Sequence, residues 1–415
     1  MRYILSPSVL ATDFAVSLPA SKSISNRALI LRALSGSPAI GHLSDSDDTA
    51  VLIRALHGDL RGTIDIGAAG TSMRFLTAYL ASFPGADVTL TGSERMLQRP
   101  IGILVDSLRR LGADIAYLGA EGFPPLRIRG KRLRGGSQTM AGNVSSQFIS
   151  ALLMVAPTFE EGLELHLSGK VTSIPYIEMT LSMMSSFGVE SRWDRASQVI
   201  VIPSEAEYKA LEQSYAVESD WSGASYWYEI AALSGRTVQL LNLPEKSLQG
   251  DARIRDYFHD LGVVTDFSDN DARLRPDPAL RRESLSLDLA SQPDMAQTFV
   301  ATCCALGIRF NITGLHTLRI KETDRIAALE TELRKLGYVV TDRDNDIMSW
   351  DGTRCQPMKQ PVIDTYKDHR MALALAPLCL CSAQPLAINN PAVVTKSYPE
   401  YWNHLRAFGI NIRQE

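Results

Sequence analysis

Amphipathic segments that end in an apolar residue and a glycine, followed by a strand-like run, recur along this chain of 415 residues. Their apolar positions return at helical spacing, and the glycine suits the left-handed residue that ends many helices. These glycines are Gly58, Gly112, Gly188, Gly262, Gly337 and Gly409. After a shorter first interval they return about every 75 residues, which indicates six copies of one mixed α/β module.

Six modules exceed what one hydrophobic core usually supports, so the pattern predicts two lobes of three modules each. The 45% hydrophobic content is ample for two cores. The charged stretch between Pro203 and Asp220 is the expected hinge. We therefore predict a first lobe at residues 18–217 and a second lobe formed by residues 1–17 plus 218–415, in which the N-terminal strand packs on the C-terminal lobe. A cleft between the lobes is the expected ligand site.

The charge balance limits the partners. A formal net charge of -4 gives no general attraction for nucleic acid or an anionic membrane, so local arginines and lysines must hold any anionic ligand. The N-terminus has no signal pattern, and no apolar run is long enough to span a membrane. Five cysteines without metal-type spacing predict reduced core thiols in a cytoplasmic protein.

Polar and cationic residues stand before several predicted helices in the first half. Helix starts bind anions through free N–H groups and the positive end of the helix dipole. The stretches concerned are Ser21-Lys22-Ser23-Ile24-Ser25-Asn26-Arg27, Gly67-Ala68-Ala69-Gly70-Thr71-Ser72-Met73-Arg74, Arg99-Pro100, Asn143-Val144-Ser145-Ser146-Gln147 and Ser173-Ile174-Pro175-Tyr176. Any one of them alone is better explained as an ordinary N-cap.

The second half adds charged helix starts around Lys321-Glu322-Thr323-Asp324-Arg325. On a helix, Lys321 and Arg325 would share a face, and Glu322 would point away from them, free for proton transfer. Alone, this run is more often the charged first turn of a surface helix. The further stretches are Pro293-Asp294-Met295-Ala296, Asp368-His369-Arg370-Met371 and Thr395-Lys396-Ser397. Their recurrence favours two anionic substrates held between the lobes, with carboxylates kept for proton transfer.

From Ser21 through Tyr401 the chain resembles the 5-enolpyruvylshikimate-3-phosphate synthases (3-phosphoshikimate 1-carboxyvinyltransferases). The resemblance rests on the stretches beginning at Ser21, Arg99, Ser145, Lys321 and Asp368, in this order. It implies the two-lobed enolpyruvyl transferase fold, an α/β (α+β) class with three βαβαββ units per lobe around a pseudo-threefold axis. It also implies transfer of enolpyruvyl from phosphoenolpyruvate to the 5-hydroxyl of shikimate 3-phosphate, in the route to chorismate and the aromatic amino acids. Glyphosate is that family's phosphoenolpyruvate-competitive inhibitor.

The resemblance also implies roles for individual residues. Asp294 would take the 5-hydroxyl proton with help from Lys321, and Glu322 would protonate the methylene carbon and later remove a proton. Shikimate 3-phosphate would be bound by Lys22, Ser23, Arg27, Ser145, Ser146, Gln147, Ser173, Tyr176, Asp294, Thr317 and Lys321. Phosphoenolpyruvate would be bound by Lys22, Gly70, Arg99, Gln147, Arg325, Arg370 and Lys396. The implied chemistry uses no metal or organic cofactor, and a monomer is expected.

Three positions depart from the family pattern: Ala20 and Ala68 replace a glycine and an asparagine, and Thr317 replaces another asparagine. None removes a charged or proton-transferring group, so an active enzyme is predicted. A rival is the enolpyruvyl transferase acting on UDP-N-acetylglucosamine, but that family has a first-lobe cysteine, and this chain has none before Cys303. A second rival is a binding protein without catalysis, against which the retention of Asp294, Glu322 and Lys321 together argues.

Overall fold

One arrangement of four strands and two helices recurs five times in the structure, a computed structural model that describes residues 1–415. The strands are β1 (Arg2–Pro7), β2 (Asp13–Ser17), β3 (Arg61–Asp65), β4 (Asp87–Thr91), β5 (Asp114–Tyr117), β6 (Leu126–Arg129), β7 (Gly136–Ala141), β8 (Leu163–Ser168), β9 (Arg192–Asp194), β10 (Val199–Ile202), β11 (Thr237–Leu241), β12 (Val263–Ser268), β13 (Asp271–Pro276), β14 (Ser284–Asp288), β15 (Arg309–Thr313), β16 (Thr341–Arg343), β17 (Ile347–Trp350), β18 (Val362–Ile363), β19 (Leu386–Asn389) and β20 (Ile410–Gln414).

Thirteen α-helices alternate with these strands and cover them. They are α1 (Lys22–Ser35), α2 (Asp47–His57), α3 (Gly70–Ser82), α4 (Glu94–Leu97), α5 (Gly102–Arg110), α6 (Ser146–Val155), α7 (Ile174–Ser186), α8 (Trp221–Ser234), α9 (Ile254–His259), α10 (Ala296–Leu306), α11 (Arg325–Lys335), α12 (His369–Leu375) and α13 (Tyr401–Phe408). None of them has the length and apolar character required to cross a membrane.

The chain divides into two compact units, each with its own packed interior. One is the continuous segment Lys22–Val217, and the other joins Met1–Ser21 to Glu218–Glu415. In the second unit, β1 pairs with both β19 and β20, while β2 lies parallel to β11. The N–H of Arg2 also donates to the carbonyl of Glu415 at 3.0 Å, so the two chain ends meet in one sheet.

All five sheets share one topology. Each has one parallel edge pair and two antiparallel neighbours, and a helix joins the parallel strands in four of them. The parallel pairs are β3 with β4, β7 with β8, β2 with β11, β14 with β15, and β18 with β19. Because parallel strands end at the same edge, the two loops that follow them lie side by side. This edge carries most of the candidate residues.

The first predicted module differs from the other five. Helices α1 and α2 pack together, but the segment between them contributes only an isolated bridge from Gly41 to Ala216. That connection is short and contains Gly36, Pro38 and Gly41, which do not favour a continuous strand. The first unit therefore holds two complete βαβαββ modules and a helix pair, and the second unit holds three modules.

The glycines that revealed the repeat mostly have the predicted conformation. Gly112, Gly188, Gly262, Gly337 and Gly409 have φ between 82° and 110°, in the region that favours glycine. Gly58 has a φ of -80°, so the helix of the first copy does not end in a left-handed glycine. The prediction was correct for five copies and wrong for the weakest.

The core of the second unit is rich in large aromatic side chains, including the fully buried Trp221 and Trp227 on α8. Cys303, Cys304 and Cys379 are buried in it, but Cys355 is half-buried and Cys381 is exposed. The expectation of five core thiols is therefore wrong for two, which lie near the ends of their modules. One carboxylate, Glu229, is also fully buried on α8, and neither of its oxygens has a hydrogen-bond partner.

Candidate active site

In the unit Lys22–Val217, the candidate residues follow the two parallel strand pairs. The loop after β3 leads to Gly70 at the start of α3, and the segment after β4 leads to Arg99 before α5. The loop after β7 leads to Ser145 and Ser146 at the start of α6, and the loop after β8 leads to Ser173 before α7. The shared edge explains why residues so far apart in sequence gather into two neighbouring groups.

Arg99 is a buried cation packed on a glycine. It is 8% exposed, and its guanidinium forms no ion pair or hydrogen bond with the protein. A Cβ on Gly70 would lie only 2.6 Å from its Nη1, so the glycine is what gives the guanidinium this place at the start of α3. A buried charge without a counter-ion is costly unless a ligand completes it. The pair therefore indicates an anion site.

Arg74 lies one turn further along α3 and was not predicted as a site residue. Its guanidinium donates to the carbonyls of Gly70 and Pro100, at 3.2 and 2.8 Å, and lies 5.6 Å from the ring of Phe148. It thereby ties the start of α3 to the residue that follows Arg99. The sequence alone places Arg74 next to the loop but does not show which carbonyls it holds.

Hydroxyl groups gather where α6 and α7 begin. Ser145 caps α6 by accepting the N–H of Gln147 at 3.4 Å, and Gln147 donates its own side-chain amide to Thr71 at 3.2 Å. Ser146 and Ser173 are each 7% exposed, and their hydroxyls form no hydrogen bond with the protein. Ser173 has φ 53°, an unusual left-handed conformation for serine. Two helix starts with open hydroxyls suit a phosphate.

Arg27 is buried deeper, and its contacts are with the protein. Its guanidinium donates to the hydroxyls of Thr180 and Ser150 at 2.7 and 3.0 Å, and to the carbonyls of Ser23 and Tyr176. Burial lowers the pKa of Arg27 to about 10, and no carboxylate forms an ion pair with Arg27 that would raise the pKa again. Arg27 would therefore act on a substrate mainly through its positive charge, and its hydrogen bonds hold the backbone of Ser23 and Tyr176 in place.

Lys22 starts α1 and has a carboxylate partner. Its Nζ lies 3.5 Å from the Oδ2 of Asp48, a residue on α2 that is 3% exposed. At this separation the ion pair keeps the ammonium near the helix start, and the ammonium can still donate hydrogen bonds to a ligand. Asp48 is a second residue that the sequence analysis did not select.

In the other unit, the candidate residues again follow parallel pairs. The loop after β14 carries Asp294, and the segment after β15 carries Lys321 and Glu322. After β18 comes Arg370, and after β19 comes Lys396. Four chain segments thus bring two carboxylates and several cations together within one unit.

Asp294 lies among three cations. Its carboxylate is 2.8 Å from Nη1 of Arg325, 3.3 Å from Nη2 of Arg370 and 3.4 Å from Nζ of Lys321. Burial by itself would raise the pKa of Asp294, but the charges of Lys321, Arg370 and Arg325 outweigh burial and hold that pKa well below its usual value. The carboxylate is therefore ionised and strongly stabilised in this state.

Arg325 organises the cluster. Its Nε donates to Asp368 at 2.7 Å, and its two terminal nitrogens reach Asp294 and Glu322 at 2.8 and 3.1 Å. Three carboxylates raise its pKa further, although burial opposes them. Asp368, fully buried, also accepts the N–H of Arg370 and so caps α12. Asp368 was not predicted as a site residue, since 43 residues separate it from Arg325.

The sequence pattern predicted that Glu322 would point away from the neighbouring cations, and this prediction is wrong. Helix α11 begins only at Arg325, with Asp324 as its N-cap, so Lys321 and Arg325 do not share a helix face. The residues before Asp324 form bends, and this turns Glu322 back towards two cations. Its carboxylate lies 2.6 Å from Nζ of Lys396 and 3.1 Å from Nη2 of Arg325.

Arg370 and Thr317 complete the set in this unit. Besides Asp294, Arg370 reaches the hydroxyls of Tyr226 and Ser222, at 3.4 and 3.3 Å. Burial raises the pKa of Tyr226 to about 12, so its hydroxyl stays protonated. The hydroxyl of Thr317 is buried and has no hydrogen-bond partner, although Thr317 stands where the family pattern has an amide. Of the other two departures, Ala20 is buried and Ala68 is exposed.

Comparison with known proteins gives one consistent result. The family model described as EPSP synthase (3-phosphoshikimate 1-carboxyvinyltransferase) matches residues 57–405. A 3-phosphoshikimate 1-carboxyvinyltransferase of Bacteroides fragilis is 51% identical, with 100% of each chain covered. One of Pseudoalteromonas atlantica is 36% identical over 97% of each chain. The solved EPSP synthase of Acinetobacter baumannii has the same fold, with a TM-score of 0.74 at 20% identity over 100% of both chains.

Proposed function

Because this chain belongs to the EPSP synthase (3-phosphoshikimate 1-carboxyvinyltransferase) family, we propose that its two sets of candidate residues bind and activate the two substrates of that family's reaction. The protein is an enzyme of the shikimate pathway. It transfers the enolpyruvyl group of phosphoenolpyruvate to shikimate 3-phosphate and releases phosphate. The roles of single residues in this reaction are our proposal, and they follow from the contacts described above.

Phosphoenolpyruvate is proposed to bind where buried cations have spare capacity. Arg99 carries this assignment, because its guanidinium is buried and has no partner in the protein. Gly70 gives it room, and Gln147 and Lys22 add donors from the same unit. Arg370, Lys396 and Arg325 are assigned to the same substrate. Since these three already contact carboxylates, binding would require phosphoenolpyruvate to share or replace those contacts.

Shikimate 3-phosphate is proposed to place its phosphate on the hydroxyls of Ser145, Ser146 and Ser173. The open hydroxyls of Ser146 and Ser173 and the N-termini of α6 and α7 support this assignment. The ring and its hydroxyls are assigned to Lys22, Ser23, Arg27, Gln147, Tyr176, Asp294, Thr317 and Lys321. The unpartnered hydroxyl of Thr317 is consistent with a substrate contact in place of the usual amide.

Asp294 is proposed as the base that removes the 5-hydroxyl proton, with Lys321 beside it. In the unliganded state its depressed pKa makes it a weak base. Two anionic substrates would offset the charges of Arg325, Arg370 and Lys321, and the pKa of Asp294 would rise towards the range useful for proton abstraction. Basicity would thus appear only when both substrates are bound.

Glu322 is proposed to protonate the methylene carbon of phosphoenolpyruvate. Protonation leaves positive character at the neighbouring carbon, which the 5-hydroxyl oxygen then attacks to give a tetrahedral adduct. Loss of phosphate, with removal of a proton from the new methyl group by Glu322, regenerates the double bond in the product. Cations at the carboxylate and the leaving phosphate stabilise the charge that develops.

The proposal is tested by phosphate release. Wild-type protein should release phosphate from phosphoenolpyruvate with shikimate 3-phosphate, and not with UDP-N-acetylglucosamine as acceptor. Glu322→Gln should lower kcat by about 10²–10⁴ while both substrates still bind, because only proton transfer is removed. Glu283→Gln, at an exposed surface position, is the matched control. An unchanged kcat in Glu322→Gln would refute the role given to Glu322.

We further propose that the enzyme works as a monomer in the cytoplasm, a compartment that suits its five unpaired cysteines. Size-exclusion chromatography with light scattering should give one species near 45.6 kDa at working concentrations. A stable dimer whose activity falls on dilution would contradict the monomer.

A further inference from the structure

The segment that carries Lys321 and Glu322 has no regular hydrogen-bond ladder of its own. It follows a 3₁₀ turn at His316–Ile320, passes through bends at 321–323 and ends at the N-cap of α11. Proton transfer needs an acid held to within a fraction of an ångström. Something outside the segment must therefore fix its position.

Arg319 lies just before this segment and forms ion pairs with a residue at the end of the segment and with a residue on the neighbouring sheet. Its Nη1 lies 2.6 Å from the carboxylate of Asp324, five residues later, so the ion pair spans the bends that contain Lys321 and Glu322. Its Nη2 lies 2.5 Å from the carboxylate of Asp342 on β16. One guanidinium thus joins the start of the segment, its end and the neighbouring sheet.

Both partner residues are tied to helix α11, Asp324 through its carboxylate and Asp342 through its backbone. The other oxygen of Asp324 accepts the N–H of Ala327 at 3.1 Å and so caps α11. The backbone N–H of Asp342 donates to Glu330 of α11 at 2.7 Å. The three-residue ion network is therefore anchored to α11 twice and to β16 once. A planar guanidinium whose two terminal nitrogens each donate to a different carboxylate resists rotation better than a single ion pair does.

We propose that Arg319 is a positioning residue for the enolpyruvyl transfer, and that its two ion pairs hold Glu322 and Lys321 in place for proton transfer. This inference rests on the acid–base role proposed above for Glu322. The guanidinium of Arg319 forms ion pairs with Asp324 and Asp342, neither of which is assigned to substrate binding, so its effect on the reaction must pass through the segment between Arg319 and Asp324.

The test compares Arg319→Gln and Arg319→Lys with wild type. The control is Arg275→Gln, which removes an exposed ion pair to Asp266 on a different sheet, that of β12 and β13. Each variant is assayed for kcat, for KM of both substrates, for the solvent deuterium isotope effect on kcat and for its melting temperature. The isotope effect is a ratio, so it does not change when only the fraction of folded enzyme changes.

If Arg319 positions the proton donor, Arg319→Gln should lower kcat by about tenfold or more, because small misplacements of a catalytic group are costly. The isotope effect should rise as proton transfer becomes slower, while KM for each substrate should stay within about twofold. Arg319→Lys should recover only part of kcat, since one ammonium cannot repeat the forked contacts. Arg275→Gln should match wild type in every assay.

Other outcomes separate the inference from the function it rests on. Loss of kcat in Glu322→Gln with wild-type kcat in Arg319→Gln would refute the positioning role alone. Full activity in Glu322→Gln would instead refute the role of Glu322. A fall in kcat and thermal stability in Arg319→Gln with an unchanged isotope effect would show that Arg319 supports only the fold, and this also overturns the proposal.

Discussion

The buried glutamate of α8 leads to a quantitative prediction about stability. Glu229 is 0% exposed, and both of its oxygens lack hydrogen-bond partners. Burial raises its pKa well above the ordinary 4.5. Its titratable neighbours, Cys379, Cys381 and Tyr401, have pKa values raised by burial as well, so they stay neutral below pH 8. The folded protein therefore holds Glu229 as a neutral acid, with no cation to stabilise its ionised form.

The sign of the pH effect follows from the two states. Above pH 4.5 the unfolded chain loses this proton while the folded chain keeps it, so folding takes up a proton. The stability contribution of Glu229 is then complete below pH 4.5 and is lost as the pH rises towards the folded pKa. The slope is about 1.4 kcal/mol per pH unit. Between pH 5.5 and 7.5, wild type should therefore lose stability relative to Glu229→Gln, which has no such proton, by up to about 1.4 kcal/mol for each pH unit below the folded pKa.

The assay is urea unfolding of wild type and Glu229→Gln at several pH values in that range, followed by tryptophan fluorescence. Four of the five tryptophans lie in the same unit as Glu229, and Trp221 and Trp227 lie on the same helix. The exposed substitution Glu283→Gln controls for a change in net charge. Parallel stability curves for wild type and Glu229→Gln would refute the reasoning, because they would mean that Glu229 titrates alike in both states.

Two further predictions concern the site, and a third concerns the backbone at Lys367. Arg99→Met removes a buried cation that only the substrate neutralises, so it should stabilise the unliganded enzyme by about 1 kcal/mol and raise its melting temperature. The same substitution should raise the KM for phosphoenolpyruvate by about 100-fold or more. A KM equal to that of wild type would contradict the assignment of Arg99. Asp294→Asn should lower kcat by about 10²–10⁴. Its KM for phosphoenolpyruvate should stay the same or fall, because a negative charge leaves a cationic cluster; a large rise in that KM would argue against this electrostatic account. Lys367 has φ 58°, a conformation that glycine adopts without strain. Lys367→Gly should therefore stabilise the enzyme by up to about 1 kcal/mol in thermal unfolding. A loss of stability would mean that the lysine side chain contributes more than the backbone strain costs.

The sequence predicted those features that depend on local chemistry. Glycine after an amphipathic helix identified five module ends, because a left-handed residue at that place favours glycine whatever surrounds it. The stretches around Gly70 and Ser145 were expected just before helices for a similar reason, because the residues that precede a helix also offer donors to an anion. The helices themselves begin earlier than expected, at Gly70 and Ser146.

Features set by tertiary contacts were missed. Asp368 meets Arg325 across 43 residues, and Arg319 meets Asp342 across 23, distances over which a sequence pattern carries no signal. The orientation of Glu322 was wrong because the first helical residue is Arg325, four positions later than the helix-face argument required. A boundary error of one turn is enough to reverse the side on which a charge lies.

The pairing of β1 and β2 has a consequence for how the protein is made. The unit Lys22–Val217 is one unbroken stretch, so a ribosome completes it before residues 218–415 exist. The other unit cannot close its sheets then: β1 waits for β19 and β20, nearly 400 residues downstream, and β2 waits for β11. Two strands with open edges must therefore stay unpaired through most of translation, when wrong partners are a hazard. The joined termini, Arg2 beside Glu415, also show where a short linker could make this unit continuous, with new chain ends opened at the junction near residue 217.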